Sequence, residues 1–343
     1  MTDVSTVSEK AMTRKDWVSD QEVRWCPGCG DFTILAAMQT MLADIGARRE
    51  STVFVSGIGC SSRFPYYMDT YGIHSIHGRA PAIASGLAIA RPDLDVWVIT
   101  GDGDALSIGG NHFIHAMRRN ININIVLFNN QVYGLTKGQY SPTSEIGSVT
   151  KSTPYGSIDM PFNPVSLALG AEATYVARSH DMDRNHMMEV LRRAHDHKGV
   201  SFVEIYQNCN VYNDGAFSDI TAKDRRADYL IPLVHGQAVR YGQEGEHGVA
   251  RGSDGRLRLV KVDEVGEGAL LVHDEALDNP SQAFELSRLA RGPHEPTPIG
   301  VFRCVDHPEY GSEVARQVAE VEGKKGIGDI AALLQSSGTW TVN

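Results

Sequence analysis

Five apolar runs between residues 52 and 206 constrain the fold of this chain more than any other feature. The runs are TVFVSG (52–57), DVWVIT (95–100), INIVLF (123–128), EATYVA (172–177) and SFVEIY (201–206). Their largely continuous apolar character is typical of strands covered on both faces, as in a parallel sheet. Helical patterns lie between them, near 31–45, 80–90, 108–119 and 181–197. This alternation predicts an α/β fold with a doubly wound, mostly parallel sheet.

The regions that flank these runs differ in composition. Residues 1–30 form a polar arm that carries two of the five cysteines, and residues 31–220 hold the α/β domain. After about residue 221 the chain becomes polar and rich in glycine. We predict that residues 221–343 are a C-terminal extension that wraps the core or a partner subunit.

Charge and cysteine usage exclude several classes of protein. The 32 basic and 42 acidic residues give a net charge of −10, which argues against nucleic acid or an anionic membrane surface as a partner. No run approaches the roughly 18 apolar residues of a membrane helix, and the N-terminus lacks the apolar core of a signal peptide. We therefore expect a cytoplasmic protein. In a reducing compartment, spaced cysteines are more often metal ligands or redox groups than disulfides.

Two predicted strands run directly into segments rich in Gly, Asp and Asn. DVWVIT is followed by GDGDALSIGG, and INIVLF is followed by NNQVYG. One βαβ crossover would place Asp102 and Asn130 at the ligand-binding edge of one sheet. Carboxylate, amide and carbonyl oxygens suit Mg²⁺, and glycines let the backbone approach a ligand closely. The pair predicts a magnesium ion bridging to a diphosphate, whereas either segment alone would favour an ordinary turn.

The stretch RWCPGCGDF contains Cys26 and Cys29, separated by two residues. This spacing fits a thioredoxin-like redox pair, half of a zinc site or half of an iron–sulfur site. No apolar strand precedes the pair, as a thioredoxin motif requires, and no second pair follows it, as in most zinc ribbons. Cys60 and Cys209 stand just past two predicted strands, at the same sheet edge as Asp102. Cys304 lacks such a position, and we predict that it is a core cysteine.

Several segments resemble a known enzyme family. GDG followed by NN is similar to the diphosphate-binding signature of thiamine diphosphate enzymes. CPGCGD, GIGCS, IHGRAPAIASGLAIARPD and YGLTKGQYSPTS resemble the β subunits of 2-oxoacid:ferredoxin oxidoreductases, and LTKGQ and SPTS are most similar to those acting on 2-oxoglutarate. The resemblance covers about residues 20 to 235. It implies the thiamine-diphosphate-binding fold of the diphosphate-binding type.

The resemblance also implies how the cofactors are bound. Asp102 and Asn130 would ligate Mg²⁺ through their side chains, and Val132 would do so through its carbonyl. The further cofactor-binding residues are Gly59, Ser61, His77, Gly101, Gly103, Asp104, Ala105, Tyr133, Gly134 and Leu135. A [4Fe–4S] cluster would be held by Cys26, Cys29, Cys60 and Cys209.

The reaction that the resemblance implies is CoA-dependent oxidative decarboxylation of 2-oxoglutarate to succinyl-CoA and CO₂, with ferredoxin as electron acceptor. A partner α subunit would supply the pyrimidine-binding domain and an activating glutamate, in an (αβ)₂ assembly. His77 is predicted to donate a hydrogen bond near the diphosphate or the substrate carbonyl, and Lys137 to pair with the distal carboxylate of 2-oxoglutarate. Three alternatives stay open: another 2-oxoacid such as pyruvate, an iron–sulfur electron-transfer module without thiamine chemistry, and a zinc-binding scaffold.

Overall fold

The computed structural model describes residues 12–290, 294–340 and 342. Its strands are β1 Thr52–Ser56, β2 Tyr71–His74, β3 Asp95–Gly101, β4 Asn124–Asn129, β5 Val132–Tyr133, β6 Gln139–Tyr140, β7 Tyr175–His180, β8 Ser201–Tyr206, β9 Leu230–Leu233, β10 Arg240–Tyr241, β11 His247–Arg251, β12 Leu257–Lys261 and β13 Thr297–Cys304. Its helices are α1 Asp31–Asp44, α2 Ala80–Ala90, α3 Asp102–Leu106, α4 Gly110–Arg118, α5 Pro164–Gly170, α6 Arg184–Asp196, α7 Ser218–Thr221, α8 Arg226–Tyr229, α9 Val262–Val265, α10 Ser281–Ser287, α11 Tyr310–Lys325 and α12 Ile330–Gln335. Short 3₁₀ helices span Arg14–Trp17, Arg49–Ser51, Ser61–Tyr67 and Glu267–Ala269. The first eleven residues of the predicted arm, and residues 291–293, 341 and 343 of the predicted extension, lie outside the described residues.

Within these described ranges, eight strands form one sheet in the order β2-β1-β3-β4-β8-β7-β13-β9. The six strands from β2 to β7 run parallel. β13 pairs antiparallel with β7 and parallel with β9. The predicted α/β fold with a mostly parallel sheet is therefore confirmed. β10, β11 and β12 form a small separate antiparallel sheet, and β5 pairs with β6.

The central strands are apolar throughout because helices cover both faces of the sheet. In β3, Val96 and Val98 belong to the apolar cluster that includes residues of α2, α4 and α5. Trp97 and Ile99 belong to the cluster formed with α1 and α6. Successive side chains of a strand point to opposite faces, so two covered faces require apolar residues at every position. This arrangement explains the continuous runs in the sequence.

The predicted helices occur close to the expected positions. α1 and α2 match the expected spans to within a residue. α6 begins at Arg184, three residues later than predicted, because the side chain of Asp183 caps its first turn. The Asp183 carboxylate accepts a hydrogen bond from the backbone N–H of His186 at 3.0 Å, which satisfies one of the exposed donors at a helix start.

The strand predicted at 172–177 is wrong by three residues, since β7 spans Tyr175–His180. Glu172 has a φ of +63°, a left-handed turn conformation that a strand does not accommodate. The strand instead continues through the polar side chains of Arg178, Ser179 and His180, all of which are buried. Arg178 is accommodated because its Nε donates to Oε2 of Glu204 at 2.6 Å. An ion pair between two strands thus extends β7 beyond its apolar part.

One part of the C-terminal region adds strands to the main sheet, and another part lies on the surface. β9 and β13 occupy one edge of the main sheet, whereas α11 and α12 carry no buried residue. In the described part of the chain, no helix has both the length and the hydropathy of a membrane span.

Candidate active site

The predicted cofactor segments meet at the carboxyl ends of four parallel strands. The register pairs Gly101 of β3 with Phe128 of β4, and Asn129 of β4 with Tyr206 of β8, so these strands end at one level. GDG follows β3, NN follows β4, QNC follows β8 and GIGC follows β1. Segments that are distant in sequence therefore lie side by side at one edge, as expected for a ligand site in a parallel sheet.

A cavity of about 230 Å³ opens at this edge, and we name it the Asp102 cavity. It is lined by predicted cofactor-binding residues, namely Gly59, Ser61, His77, Gly101, Asp102, Gly103, Asp104, Asn130, Val132, Tyr133, Gly134 and Leu135. Ala105 was also predicted to bind the cofactor, but it is buried behind the turn and does not line the cavity. Asp31, Ile58, Cys60, Phe128 and Thr136 complete the lining.

Asp102 is held in place by two hydroxyl groups. Its Oδ2 accepts hydrogen bonds from Oγ of Ser141 and, at 2.6 Å, from Oγ1 of Thr143. The carboxylate is 3% exposed, and burial raises its pKa to about 6 although both hydroxyls oppose the shift. Ser141 and Thr143 thus orient a buried carboxylate that a cation would stabilise.

The charges around the Asp102 cavity fit a diphosphate only when a cation accompanies it. Asp31, Asp102 and Asp104 contribute three carboxyl groups, and no Lys or Arg occurs among the described residues of the lining. A diphosphate would be repelled by these groups. A divalent cation between carboxylate and phosphate oxygens removes the repulsion and suits the oxygen ligands present. The donor set therefore fits the predicted magnesium–diphosphate pair.

Gly103 is required by the aromatic ring that covers the turn after β3. A Cβ atom at Gly103 would lie 2.1 Å from Cε1 of Tyr133, well inside van der Waals contact. The hydroxyl of Tyr133 donates to the carbonyl of Gly103 at 3.0 Å. Asp104 fixes the other side of the turn, because its carboxylate accepts bonds from the N–H of Gly78 and the hydroxyl of Thr100, both at 2.7 Å.

The two asparagines after β4 have different environments. Asn130 lines the Asp102 cavity, as predicted for a magnesium ligand. Its Oδ1 accepts a hydrogen bond from the N–H of Val132 at 3.2 Å. Asn129, the last residue of β4, is buried, and its Nδ2 donates to Oε1 of Glu204 at 2.7 Å. The first asparagine therefore anchors the strand end, and the second faces the ligand site.

A second cavity, of about 210 Å³, lies beside the first, and we name it the cysteine cavity. All four cysteines of the predicted quartet line it, namely Cys26, Cys29, Cys60 and Cys209. A Cβ at Gly134 would lie 3.6 Å from Sγ of Cys209 and 3.7 Å from Sγ of Cys60, so both sulfurs approach one point. The separate chain segments that hold these thiols therefore converge.

The electrostatics of the thiols fit a group of positive charge. Burial, the Asp31 carboxylate and the neighbouring thiols raise the pKa of Cys60 to about 12, and burial followed by Asp31 raises the pKa of Cys29. Four adjacent thiolates require metal to neutralise them. Among the described residues, no group of three or more His, Cys, Asp or Glu side chains is placed to hold a metal ion. The four thiols line one cavity, and four cysteine ligands are the donor set that a [4Fe–4S] cluster takes.

The two cavities share one wall. Cys60, Asn130, Gly134 and Leu135 line both of them. Trp25 also lines the cysteine cavity, and its Nε1 donates to the carbonyl of Cys60 at 2.7 Å. A group held in one cavity would contact the residues that enclose the other.

The two residues predicted to be catalytic lie in different places. His77 is exposed and lines the Asp102 cavity. Lys137 is exposed and lines the cysteine cavity instead. Arg63, which the sequence analysis did not select, lines the cysteine cavity together with Lys137. Cys304, predicted to be a core cysteine, ends β13, is partly buried against the apolar cluster formed with α1 and α6, and lines neither cavity.

Sequence reasoning also missed Asp31 and Gln207. Asp31 is 1% exposed and lines the Asp102 cavity, and neither carboxylate oxygen has a hydrogen-bond partner. Burial raises its pKa to about 7. Gln207 lies in the cysteine cavity and directly follows β8. The strand-end rule that selected Cys209 would also have selected Gln207, whereas Asp31 follows no strand.

The comparisons with known proteins first define the class. Residues 57–205 match the family model described as thiamine pyrophosphate enzyme, C-terminal TPP binding domain. This segment begins just after β1 and includes β3, β4, β7 and most of β8, together with the residues of the Asp102 cavity that follow β1, β3 and β4. The fold and the first cavity therefore define a thiamine diphosphate-binding domain.

Full-length relatives define the family more narrowly. The 2-oxoglutarate oxidoreductase subunit KorB of Mycobacterium tuberculosis is 56% identical over 331 residues, 96% of this chain and 88% of its own. The 2-oxoacid:ferredoxin oxidoreductase 1, subunit beta, of Aeropyrum pernix is 47% identical over 190 residues, 55% of this chain and 60% of its own. A solved 2-oxoglutarate:ferredoxin oxidoreductase from Magnetococcus marinus, with 2-oxoglutarate, coenzyme A and succinyl-CoA bound, matches at 33% identity and a TM-score of 0.76, covering 97% of this chain and 98% of that one. The chain belongs to the β subunits of the 2-oxoacid:ferredoxin oxidoreductases, which confirms the resemblance found in the sequence.

Proposed function

We propose that this β subunit acts with an α subunit in the CoA-dependent oxidative decarboxylation of 2-oxoglutarate, and that it passes the electrons through a [4Fe–4S] cluster to ferredoxin. The observation that carries the proposal is the common wall of the two cavities, formed by Cys60, Asn130, Gly134 and Leu135. One-electron transfer from a thiamine-bound substrate requires an acceptor close to the cofactor. Two adjacent cavities, one with oxygen donors and one with four thiols, meet that requirement.

In this proposal the Asp102 cavity holds thiamine diphosphate and Mg²⁺. Asp102 and Asn130 would ligate the ion with Val132, and Ser141 and Thr143 keep the Asp102 carboxylate oriented toward it. Thiamine diphosphate supplies an electron sink for decarboxylation of a 2-oxoacid when it is bound. Tyr133 covers the turn at Gly103, and Leu135 contributes an apolar surface at the wall between the cavities.

The four thiols of the cysteine cavity would hold the cluster. Cys26 and Cys29 lie on the arm before α1, while Cys60 and Cys209 follow β1 and β8. Trp25 packs edge-on against Tyr67 with ring centroids 4.8 Å apart, and this contact holds the arm against the Cys60 loop. The arm therefore packs against the Cys60 loop and contributes two of the four thiols of the cysteine cavity. Thiols of this kind persist in the reducing cytoplasm, where we place the protein.

The α subunit would complete the thiamine site. Activation of the aminopyrimidine ring is expected to need a glutamate, and the acids described around the Asp102 cavity are all aspartates. The family model that matches this chain describes one TPP binding domain, over residues 57–205. The pyrimidine-binding domain and its glutamate would therefore come from the α subunit, in an (αβ)₂ assembly.

We infer 2-oxoglutarate as the substrate because relatives that cover most of this chain carry that name. Its distal carboxylate needs a cation, and Lys137 and Arg63 both line the cysteine cavity, which shares a wall with the Asp102 cavity. Replacing Lys137 with Ala is expected to raise KM for 2-oxoglutarate more than KM for 2-oxobutyrate, which lacks the second carboxylate. An equal change in both KM values would remove Lys137 from the diacid site.

The proposed function is tested by co-expressing this chain with its α subunit and assaying the anaerobic complex. Reduction of ferredoxin or a viologen should require CoA and should be fastest with 2-oxoglutarate among 2-oxoglutarate, pyruvate and a branched-chain 2-oxoacid. The denatured complex should release close to one thiamine diphosphate per β chain. Activity with pyruvate above that with 2-oxoglutarate would replace the substrate. A brown complex without thiamine diphosphate would favour the electron-transfer module, and a colourless zinc-containing complex would favour the scaffold.

A further inference from the structure

We propose that the side chain of Gln207 couples the magnesium site to the iron–sulfur cluster, and that its N–H···S hydrogen bond to Cys29 sets the reduction potential of that cluster. The inference rests on the proposed function, since it assumes the cluster and the magnesium ion. Gln207 is a positioning residue, because it contacts one ligand of each site and neither substrate nor cofactor.

The hydrogen bonds of Gln207 join the two sites directly. Its Oε1 accepts a bond from Nδ2 of Asn130 at 2.9 Å. Its Nε2 donates to Sγ of Cys29 at 3.3 Å and to the carbonyl of Asn208 at 2.5 Å. The amide oxygen and both amide hydrogens are therefore engaged. With the residue 1% exposed, solvent does not compete for these bonds.

The surrounding backbone fixes Gln207 in this orientation. Its N–H donates to the carbonyl of Asn129 at 2.9 Å, and the next N–H, of Asn208, donates to Oδ2 of Asp181 at 2.8 Å. Gly30 leaves room for both side chains, because a Cβ there would lie 3.1 Å from Cγ of Gln207 and 1.9 Å from Oδ2 of Asp181. The link is thus built into the loops that carry Cys29 and Cys209.

The first consequence concerns magnesium. Nδ2 of Asn130 is bonded to Gln207, and Oδ1, which accepts the N–H of Val132, keeps its second lone pair for a metal. Without Gln207, only the 3.2 Å bond from Val132 opposes rotation of the Asn130 amide, which would present its N–H₂ group to the cation. Residues that orient a metal ligand in this way change metal affinity by about 10- to 100-fold when they are replaced.

The second consequence concerns the cluster. Reduction adds negative charge to the cluster and its sulfur ligands, and an N–H group directed at a ligating sulfur stabilises that charge. Removing the donor at Cys29 should therefore make the midpoint potential more negative. A single side chain would then affect both the retention of thiamine diphosphate and the electron affinity of its acceptor.

Two variants separate these effects in the holo αβ complex. Gln207→Met is similar in length and uncharged, and it removes the bonds to both Asn130 and Cys29. Gln207→Glu keeps an acceptor for Asn130 but has no N–H for the sulfur. Asn210→Asp controls for added charge beside the cysteine cavity, because the Asn210 amide donates to the carbonyl of Pro27, at 2.6 Å, and not to a sulfur.

Iron and sulfide per chain are measured first, then the midpoint potential by redox titration and the Mg²⁺ dependence of thiamine diphosphate binding. In Gln207→Met the potential should become more negative and half-saturating Mg²⁺ should rise about tenfold or more. In Gln207→Glu the potential should fall by more than in Asn210→Asp, with half-saturating Mg²⁺ close to wild type. If Gln207→Met does not retain the cluster, the midpoint potential is compared between Gln207→Glu and Asn210→Asp alone.

Wild-type potentials in both Gln207 variants, with the cluster fully loaded, would overturn the proposed N–H···S bond. An equal loss of Mg²⁺ affinity in Gln207→Glu and Gln207→Met would overturn the role of Oε1 toward Asn130. A wild-type complex that contains no iron would instead overturn the proposed function, and the inference with it. The iron analysis therefore distinguishes the two failures.

Discussion

The hydroxyl of Thr143 should control how strongly this protein binds magnesium. Thr143 is 2% exposed, and its Oγ1 lies 2.6 Å from Oδ2 of Asp102 and 2.9 Å from Oδ1 of Asn129. Valine has nearly the same shape, so Thr143→Val removes the hydroxyl with little change in packing. The Asp102 carboxylate then loses one of the two hydroxyl donors that oppose its desolvation.

The size of the effect follows from the charge of the acceptor. A hydrogen bond to a charged group contributes about 1.5–3 kcal/mol, and 1.4 kcal/mol corresponds to a factor of ten in binding. Thr143→Val should therefore weaken Mg²⁺ binding by about 10- to 150-fold. The pKa of Asp102, already raised to about 6 by burial, should rise further. Because Mg²⁺ binds the ionised carboxylate, the loss should be larger below pH 7 than above it.

The assay is a Mg²⁺ titration of thiamine diphosphate binding to the apo αβ complex, at one pH below 7 and one above. Thr143→Ser restores the hydroxyl and should recover most of the affinity. Thr136→Val is a matched control, because Thr136 also lines the Asp102 cavity but bonds Gln139 instead of Asp102. A wild-type Mg²⁺ affinity in folded Thr143→Val at both pH values would refute the role assigned to this hydroxyl.

Three further outcomes follow from the two cavities. Gly103→Ala should displace the Tyr133 ring and lower kcat/KM at least about tenfold, whereas Gly86→Ala, where no atom lies within 4 Å of the new Cβ, should not. Cys209→Ser should abolish the brown colour and lower the iron content, whereas Cys304→Ser should retain both. Burial raises the pKa of Asp102 to about 6 and that of Asp31 to about 7 in the folded protein. Between about pH 4 and 7 the native state therefore binds more protons than the unfolded state. The melting temperature of the apo complex should therefore fall as pH rises through this window, and Asp102→Asn should make that fall less steep. A melting temperature that rises with pH in the wild type, or an equally steep fall in the variant, would contradict this prediction.

Much of the site could be predicted from the sequence because parallel strands end at one edge. Once β1, β3, β4 and β8 are recognised as covered strands, the residues after each strand must be neighbours. That rule brought Cys60, Asp102, Asn130 and Cys209 together without any knowledge of the loops between them. The register of the sheet then confirms that β3, β4 and β8 end at one level.

The parts that could not be predicted depend on contacts between polar side chains. β7 continues through Arg178 because Glu204 on the next strand neutralises it, and no local pattern reports that pairing. β13 joins the sheet antiparallel from the far end of the chain, at a separation where sequence patterns carry no pairing information. Nothing in the sequence around Gln207 distinguishes it from other loop glutamines, because its bonds to Asn130 and Cys29 join segments distant in the chain.

The central claim is that a substrate-derived electron passes from the Asp102 cavity to the cysteine cavity across their common wall. It is tested most directly by adding 2-oxoglutarate to the anaerobic, ferredoxin-free αβ complex and recording the visible absorption and the electron paramagnetic resonance spectrum. We predict that the visible band bleaches and that the signal of a reduced [4Fe–4S] cluster forms. Release of CO₂ while the cluster stays oxidised would contradict the claim.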